Sequence, residues 1–180
     1  MAIFNLDGTL VRPLTYELLP GVQTWFGMRP TRLAVAIATN QGGVAMRHHY
    51  AYDTLRHSQY PTAEKAGQRV FQVARLLNIP PSLVFMSFAY KFSEGIWVDT
   101  PRESLGNERW SRNWRKPNAG MLMAAIGRSH ASPQQTVMIG NSDDDRLAAA
   151  RAGVTFIPAK TFFGWREGMA YEPHFAYATA

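Results

Sequence analysis

Five short apolar runs punctuate the chain, at 1–4, 33–38, 83–89, 136–140 and 154–157. None shows a helical spacing, and each is the length of a strand, so each is read as a strand, the first as a buried one and the second as a central parallel one. Between them the pattern changes period. Val22, Trp25 and Phe26 follow the breaker Pro20-Gly21 and start a helix. Ala66, Val70, Val73, Ala74 and Leu77 recur at helical spacing behind Thr62, which predicts an amphipathic crossover helix capped by that threonine and ended by Asn78-Ile79-Pro80-Pro81. Pro117 suits the first turn of a helix running from Lys116 toward Ile126. A further alanine-rich segment, 146–153, follows an acidic turn that favours a helix N-terminus. The stretch 46–60, rich in His, Tyr and Arg, is read as a surface or substrate-facing loop, and 90–115 as the least regular part of the chain.

Three of the apolar runs stop abruptly in polar clusters. The first ends in Asn5-Leu6-Asp7-Gly8-Thr9, the second in Thr39-Asn40-Gln41-Gly42-Gly43, the fourth in Asn141-Ser142-Asp143-Asp144-Asp145. A buried strand delivers such residues to its carboxyl end, where open α/β sheets place their ligands. Taken alone, each cluster is an ordinary turn. Taken in order, they resemble the motifs of the haloacid dehalogenase superfamily of phosphotransferases. The first resembles Asp-x-Asp-Gly-Thr. The second resembles the Thr-Asn-Gln-x-Gly form found in the small-capped subgroup with histidinol-phosphatase-like, heptose-bisphosphate-phosphatase-like and polynucleotide 3′-phosphatase-like members. Lys116-Pro117-Asn118-Ala119-Gly120-Met121 resembles the lysine motif, and 140–153 resembles Gly-Asp-x-x-x-Asp before an Ala-rich helix. The resemblance spans 1–154. It implies one domain over 1–180, an α/β fold of the doubly wound, Rossmann-like, three-layer kind, a mostly parallel sheet and a minimal cap, since 11–19 is too short for a folded insertion.

The resemblance also assigns roles. Asp7 would be the general acid/base, with its main-chain carbonyl a ligand of magnesium. Thr39, Asn40 and Lys116 would hold the phosphoryl group, and Asp145 would support the metal from behind its ligands. Two positions depart from the pattern. Asn5 stands where the superfamily has its nucleophilic aspartate, and Asn141 stands where it has a magnesium-ligating acid. A carboxamide is neutral and a poor nucleophile, so covalent catalysis through an aspartyl-phosphate and affinity for Mg2+ should both fall. The expected function is a magnesium-dependent phosphomonoester hydrolase scaffold whose turnover is in question. One alternative is an inactive phosphate-ligand or protein-binding pseudo-phosphatase. Another is a nucleic-acid 3′-end phosphatase. The two asparagines could be natural, engineered, or aspartates misread.

Composition changes this picture little. Nineteen Lys and Arg against 13 Asp and Glu give a formal charge of +6, which suits an anionic partner. Trp97, Trp110 and Trp114 interleave with Arg102, Arg109, Arg112 and Arg115, a pattern compatible with stacking on bases or with a loop folded over the sheet. His48, His49 and His57 lack the spacing of a metal motif. With no cysteine there are no disulfides and no thiolate zinc site, which fits a cytoplasmic setting. No apolar run reaches the length of a membrane span, and no basic segment precedes the first strand. A phosphorylated small molecule is the expected partner.

Overall fold

The computed structural model describes residues 1–166. Five strands, β1 (Ala2–Phe4), β2 (Val35–Asn40), β3 (Val84–Ser87), β4 (Val137–Gly140) and β5 (Thr155–Pro158), form one sheet in the order β3-β2-β1-β4-β5. Every pairing is parallel, with Phe4 opposite Ile37 on one side and Ile139 on the other. β1 is therefore central, and the chain order reverses beside it. That reversal opens the crevice in which doubly wound folds bind ligands.

Alternation along the strands builds two cores. Phe4, Ile37 and Ile139 face one layer, where α1 (Val22–Met28), α2 (Gly43–His49), α4 (Ala63–Leu76) and α7 (Ala159–Phe163) supply the facing side chains. Ile3, Ala36, Ala38 and Met138 face the other, against α5 (Gly120–Ser129) and α6 (Asp143–Ala152). Phe4 anchors the first core. Its ring meets Trp25, Phe26 and Phe162 at centroid separations of 5.2, 5.5 and 5.6 Å. Trp165 Nε1 donates to the Pro20 carbonyl at 2.7 Å, which holds the segment at 161–165 against this core. The rest of the tail lies outside the described residues.

Local chemistry fixes the helix ends. Thr62 Oγ1 accepts from the Lys65 N–H at 3.1 Å, and α6 carries a capping box between Ser142 and Asp145. Only α1 occupies the connection between β1 and β2, which leaves the cap minimal. Two expectations need correction. The segment 46–60 is not a loop, because α2 and α3 (Thr54–Gln59) occupy most of it. The helix after Lys116 begins at Gly120, and Pro117 precedes it in a cis peptide bond with Lys116 rather than sitting in its first turn.

Candidate active site

Asn5, Asn40 and Asn141 sit at or just past the ends of β1, β2 and β4, and Lys116 enters from the loop ahead of α5. Lys116 is buried, at 1% exposure. Its ammonium has three hydrogens to donate. They go to Ala38 O at 2.7 Å, Asn5 Oδ1 at 3.0 Å and Asp145 Oδ1 at 2.6 Å. The lysine main chain is held from both sides by one side chain: Asn40 Nδ2 donates to Lys116 O at 2.9 Å, and Lys116 N donates to Asn40 Oδ1 at 3.1 Å. Asn40 thus positions the lysine loop, and its carboxamide is engaged there.

Asp145 is fully buried and serves two elements. Oδ1 takes the lysine, while Oδ2 accepts from Asn141 N at 3.0 Å, Ser142 N at 3.1 Å and Ser142 Oγ at 2.8 Å. The same carboxylate that caps α6 therefore neutralises Lys116. Gly140 lies against it, where an added Cβ would come 2.5 Å from the Asp145 side chain.

Asn5 is saturated. Its oxygen accepts from Lys116, and its nitrogen donates to Asp7 O at 2.9 Å and to Asn141 Oδ1 at 2.9 Å. Thr9 Oγ1 also donates to Asn141 Oδ1, at 3.0 Å. The loop that permits this closes over Gly8, whose φ of 75° is open to glycine and whose missing Cβ would strike Asn141 Nδ2.

Asp7 points elsewhere. Its two oxygens form a fork with Arg69 of α4, Nη1 to Oδ1 and Nη2 to Oδ2, both at 2.7 Å. Gln41 Nε2 and Leu14 N donate to the same carboxylate at 3.0 Å each. Asp7 meets Asn5 through its main-chain carbonyl, not its carboxylate. Thr39 is buried one step away, its hydroxyl accepting from Gln41 Nε2 at 3.0 Å.

Sequence reasoning missed Arg69, and a signal existed. Arg69 lies among Ala66, Val70 and Val73 on the buried stripe of α4, and a guanidinium there needs a partner. It also missed the electrostatic influence of Arg115 and Asp144 on each other. Burial lowers the Arg115 guanidinium from its ordinary value, with Asp144 pulling the other way, and burial raises the Asp144 carboxyl against the opposing fields of Arg115 and Lys116.

The loop at 90–115 has closed on itself. Trp110 is buried, Trp114 Nε1 donates to Met86 O at 3.1 Å, and Arg112 covers the ring of Trp97 at 5.5 Å. Arg109 covers Phe88 at 5.7 Å and Arg115 covers Tyr90 at 5.5 Å. These are intramolecular contacts of a folded connection. A depression of about 410 Å³ adjoins the site, running from Asn141 and Ser142 past Arg146 and Lys160 to Trp165.

Magnesium asks for several oxygen ligands, with charge among them. Here the Asn5 oxygen is bonded to Lys116, and Asp7 O and Asn141 Oδ1 both accept from Asn5 Nδ2. Among the described residues, no three or more His, Cys, Asp or Glu gather as a metal cluster. The residues as they stand do not fit the magnesium expected from the resemblance.

Residues 113–164 match the HAD-hydrolase-like family. A D-glycero-D-manno-heptose-1,7-bisphosphate 7-phosphatase of Thermosynechococcus vestitus is 28% identical over 174 residues, covering 92% of this chain and 81% of that protein. A "Probable cytosol aminopeptidase" of Rhodopirellula baltica is 31% identical over 96 residues, 52% of this chain; the match spans only 18% of that protein's length. Among solved structures, the D,D-heptose 1,7-bisphosphate phosphatase of B. bronchiseptica, complexed with magnesium and phosphate, superposes with a TM-score of 0.55 at 21% identity, covering 86% of this chain and 77% of that one. At that identity the likeness is one of fold.

Proposed function

We propose that this chain, which belongs to the haloacid dehalogenase-like superfamily, is a phosphatase-type protein whose pocket recognises the phosphoryl group of a small phosphorylated molecule. One observation carries the reading. Three strand ends and the lysine loop converge so that Lys116 Nζ lies 3.0 Å from Asn5 and 2.6 Å from Asp145. The three ammonium hydrogens are taken within the fold, so Lys116 acts on a ligand as a fixed positive charge at the carboxyl edge of the central strand, which favours an anionic phosphoryl group over a neutral one. The heptose-bisphosphate phosphatase likeness over most of the chain supports a phosphorylated sugar or similar small molecule, and the depression beside Asn141 has the size for one. On this reading 1–180 is one domain, working in the cytoplasm.

With a carboxylate at residue 5, the side chain would attack phosphorus, the ester oxygen would leave with a proton from Asp7, and Asp7 would then activate water to release phosphate. Asp7 would have to leave Arg69 for this. With Asn5 the first step has no competent nucleophile, because the amide nitrogen lone pair is delocalised and both its hydrogens are bonded. As its sequence stands, the chain binds a phosphorylated ligand and does not form the acyl phosphate.

The test is hydrolysis of p-nitrophenyl phosphate and a phosphomonoester panel by the starting chain, Asn5→Asp, Asn141→Asp and the double variant, after intact masses are confirmed. The double variant should gain activity by several orders of magnitude, and the single variants far less, because both residues serve one reaction centre. A folded double variant inert on the whole panel would remove the phosphatase reading.

A further inference from the structure

The asparagines at 5 and 141 are bonded to each other, and this changes what the site needs. Asn5 Nδ2 donates one hydrogen to Asp7 O and the other to Asn141 Oδ1, each at 2.9 Å. One neutral nitrogen thus ties together two oxygens, a main-chain carbonyl and a side-chain carbonyl, at different strand ends, and it reaches across 136 residues of chain to Asn141. Thr9 Oγ1 adds a second donor to Asn141 Oδ1 at 3.0 Å. Carboxylates at both positions would repel each other at this distance and would need a cation between them. Carboxamides attract.

Charge leads to the same conclusion. In the pocket, Lys116 cancels Asp145 and Arg69 cancels Asp7. Beside it, Asp143 is engaged by Arg146 at 3.1 Å. Two asparagines in place of two carboxylates remove two negative charges, and omitting a dication removes two positive ones. The pocket therefore has the same net charge as a carboxylate pair holding a dication. Adding a dication to this pocket would leave its charge unmatched in a place where Asn5 and Lys116 are buried.

We propose that this pocket is metal-independent: the Asn5 amide nitrogen takes the structural place of a divalent cation, and the phosphoryl group of the ligand binds equally well with and without one. This rests on the pocket being a phosphoryl site. The two asparagines then form a functional pair, each useful only with the other, rather than two independent losses.

The experiment is a calorimetric titration of the full chain with inorganic phosphate, once in EDTA and once in excess magnesium. The proposal expects affinities equal within about threefold. A rise of about tenfold or more with magnesium would overturn it while leaving the phosphoryl reading intact. Phosphate binding in neither condition would overturn the phosphoryl reading and this proposal together. A second readout needs no phosphate. Magnesium should leave the Tm of the starting chain unchanged and raise that of the Asn5→Asp, Asn141→Asp double variant. A magnesium-dependent Tm rise in the starting chain that is lost in Asn141→Ala would overturn the proposal even if the double variant fails to fold.

Discussion

Two ion pairs flank the pocket, and they are built differently. Lys116 and Asp145 meet at 2.6 Å with side chains 2% and 1% exposed. Arg69 and Asp7 meet at 2.7 Å with side chains 10% and 24% exposed. In the inner pair both charges are held by further bonds: Ala38 O and Asn5 Oδ1 complete the ammonium, and Asn141 N, Ser142 N and Ser142 Oγ all donate to the second carboxylate oxygen. Neither charge can move without stranding the other in a dry interior. The outer pair is a planar fork beside solvent, where a released carboxylate can be hydrated. The inner pair is a fixture of the fold, and the outer pair is a clamp that can open. This contrast matters because Asp7 is the one proposed acid/base, and its carboxylate is in the clamp.

The contrast can be broken most directly at Lys116. Lys116→Met keeps the length of the side chain and leaves Asp145 buried without its cation. Chemical denaturation should show a loss of about 3–5 kcal/mol. Arg69→Met should lower stability by a smaller amount, about 1–3 kcal/mol, since Asp7 retains Gln41, Leu14 N and access to water. Equal losses for the two variants would mean that the pairs are not different in kind. Arg69→Lys sharpens the point: charge is kept but the fork is lost, so its stability should fall between those of the starting chain and Arg69→Met.

Smaller effects follow at the rim. Ser142→Ala removes one partner of Asp145 and one half of the α6 capping box, and should cost about 1 kcal/mol by urea unfolding. Asp144 gives the weakest signal. Its carboxyl is raised above the ordinary 3.8, so between 3.8 and the folded value the native state holds its proton more tightly than the unfolded state. Its contribution therefore favours the native state at the acid side of that window and declines as pH rises through it. Asp144→Asn should flatten that decline in Tm recorded against pH.

The strands were legible because each is a short apolar run bounded by polar residues; a parallel sheet buries four of them on both faces, while the edge strand β5 is exposed at Thr155 and Pro158. Lys116 and Asp145 were legible as motif members, though not as each other's partner: they are 29 residues apart and no local pattern joins them. Arg69 was hidden for a related reason. Its role depends on where α4 lies against the β1 loop, 62 residues earlier in the chain. α2 was obscured by Gly42 and Gly43 at its start and by three basic residues, Arg47, His48 and His49, in its last turn, which together read as a polar loop. Pro117 misled because a proline marks a helix start only when the residues before it are already in place. Here the chain turns through Lys116-Pro117-Asn118-Ala119 to bring the ammonium inward before the helix begins.

The central position of β1 has a consequence in time. Ala2–Phe4 leaves the ribosome before either of its neighbours, yet it pairs with Val35–Ile37 on one side and Val137–Ile139 on the other. At synthesis rates of ~5–20 residues per second, the second neighbour follows on the order of ten seconds later. For that interval a strand of Ala, Ile and Phe has at most one edge satisfied, and the aromatic rings that later enclose Phe4, those of Phe162 and Phe163, do not yet exist. A ribosome-bound fragment ending before β4 should therefore bind a holdase more readily than one that extends past Phe163.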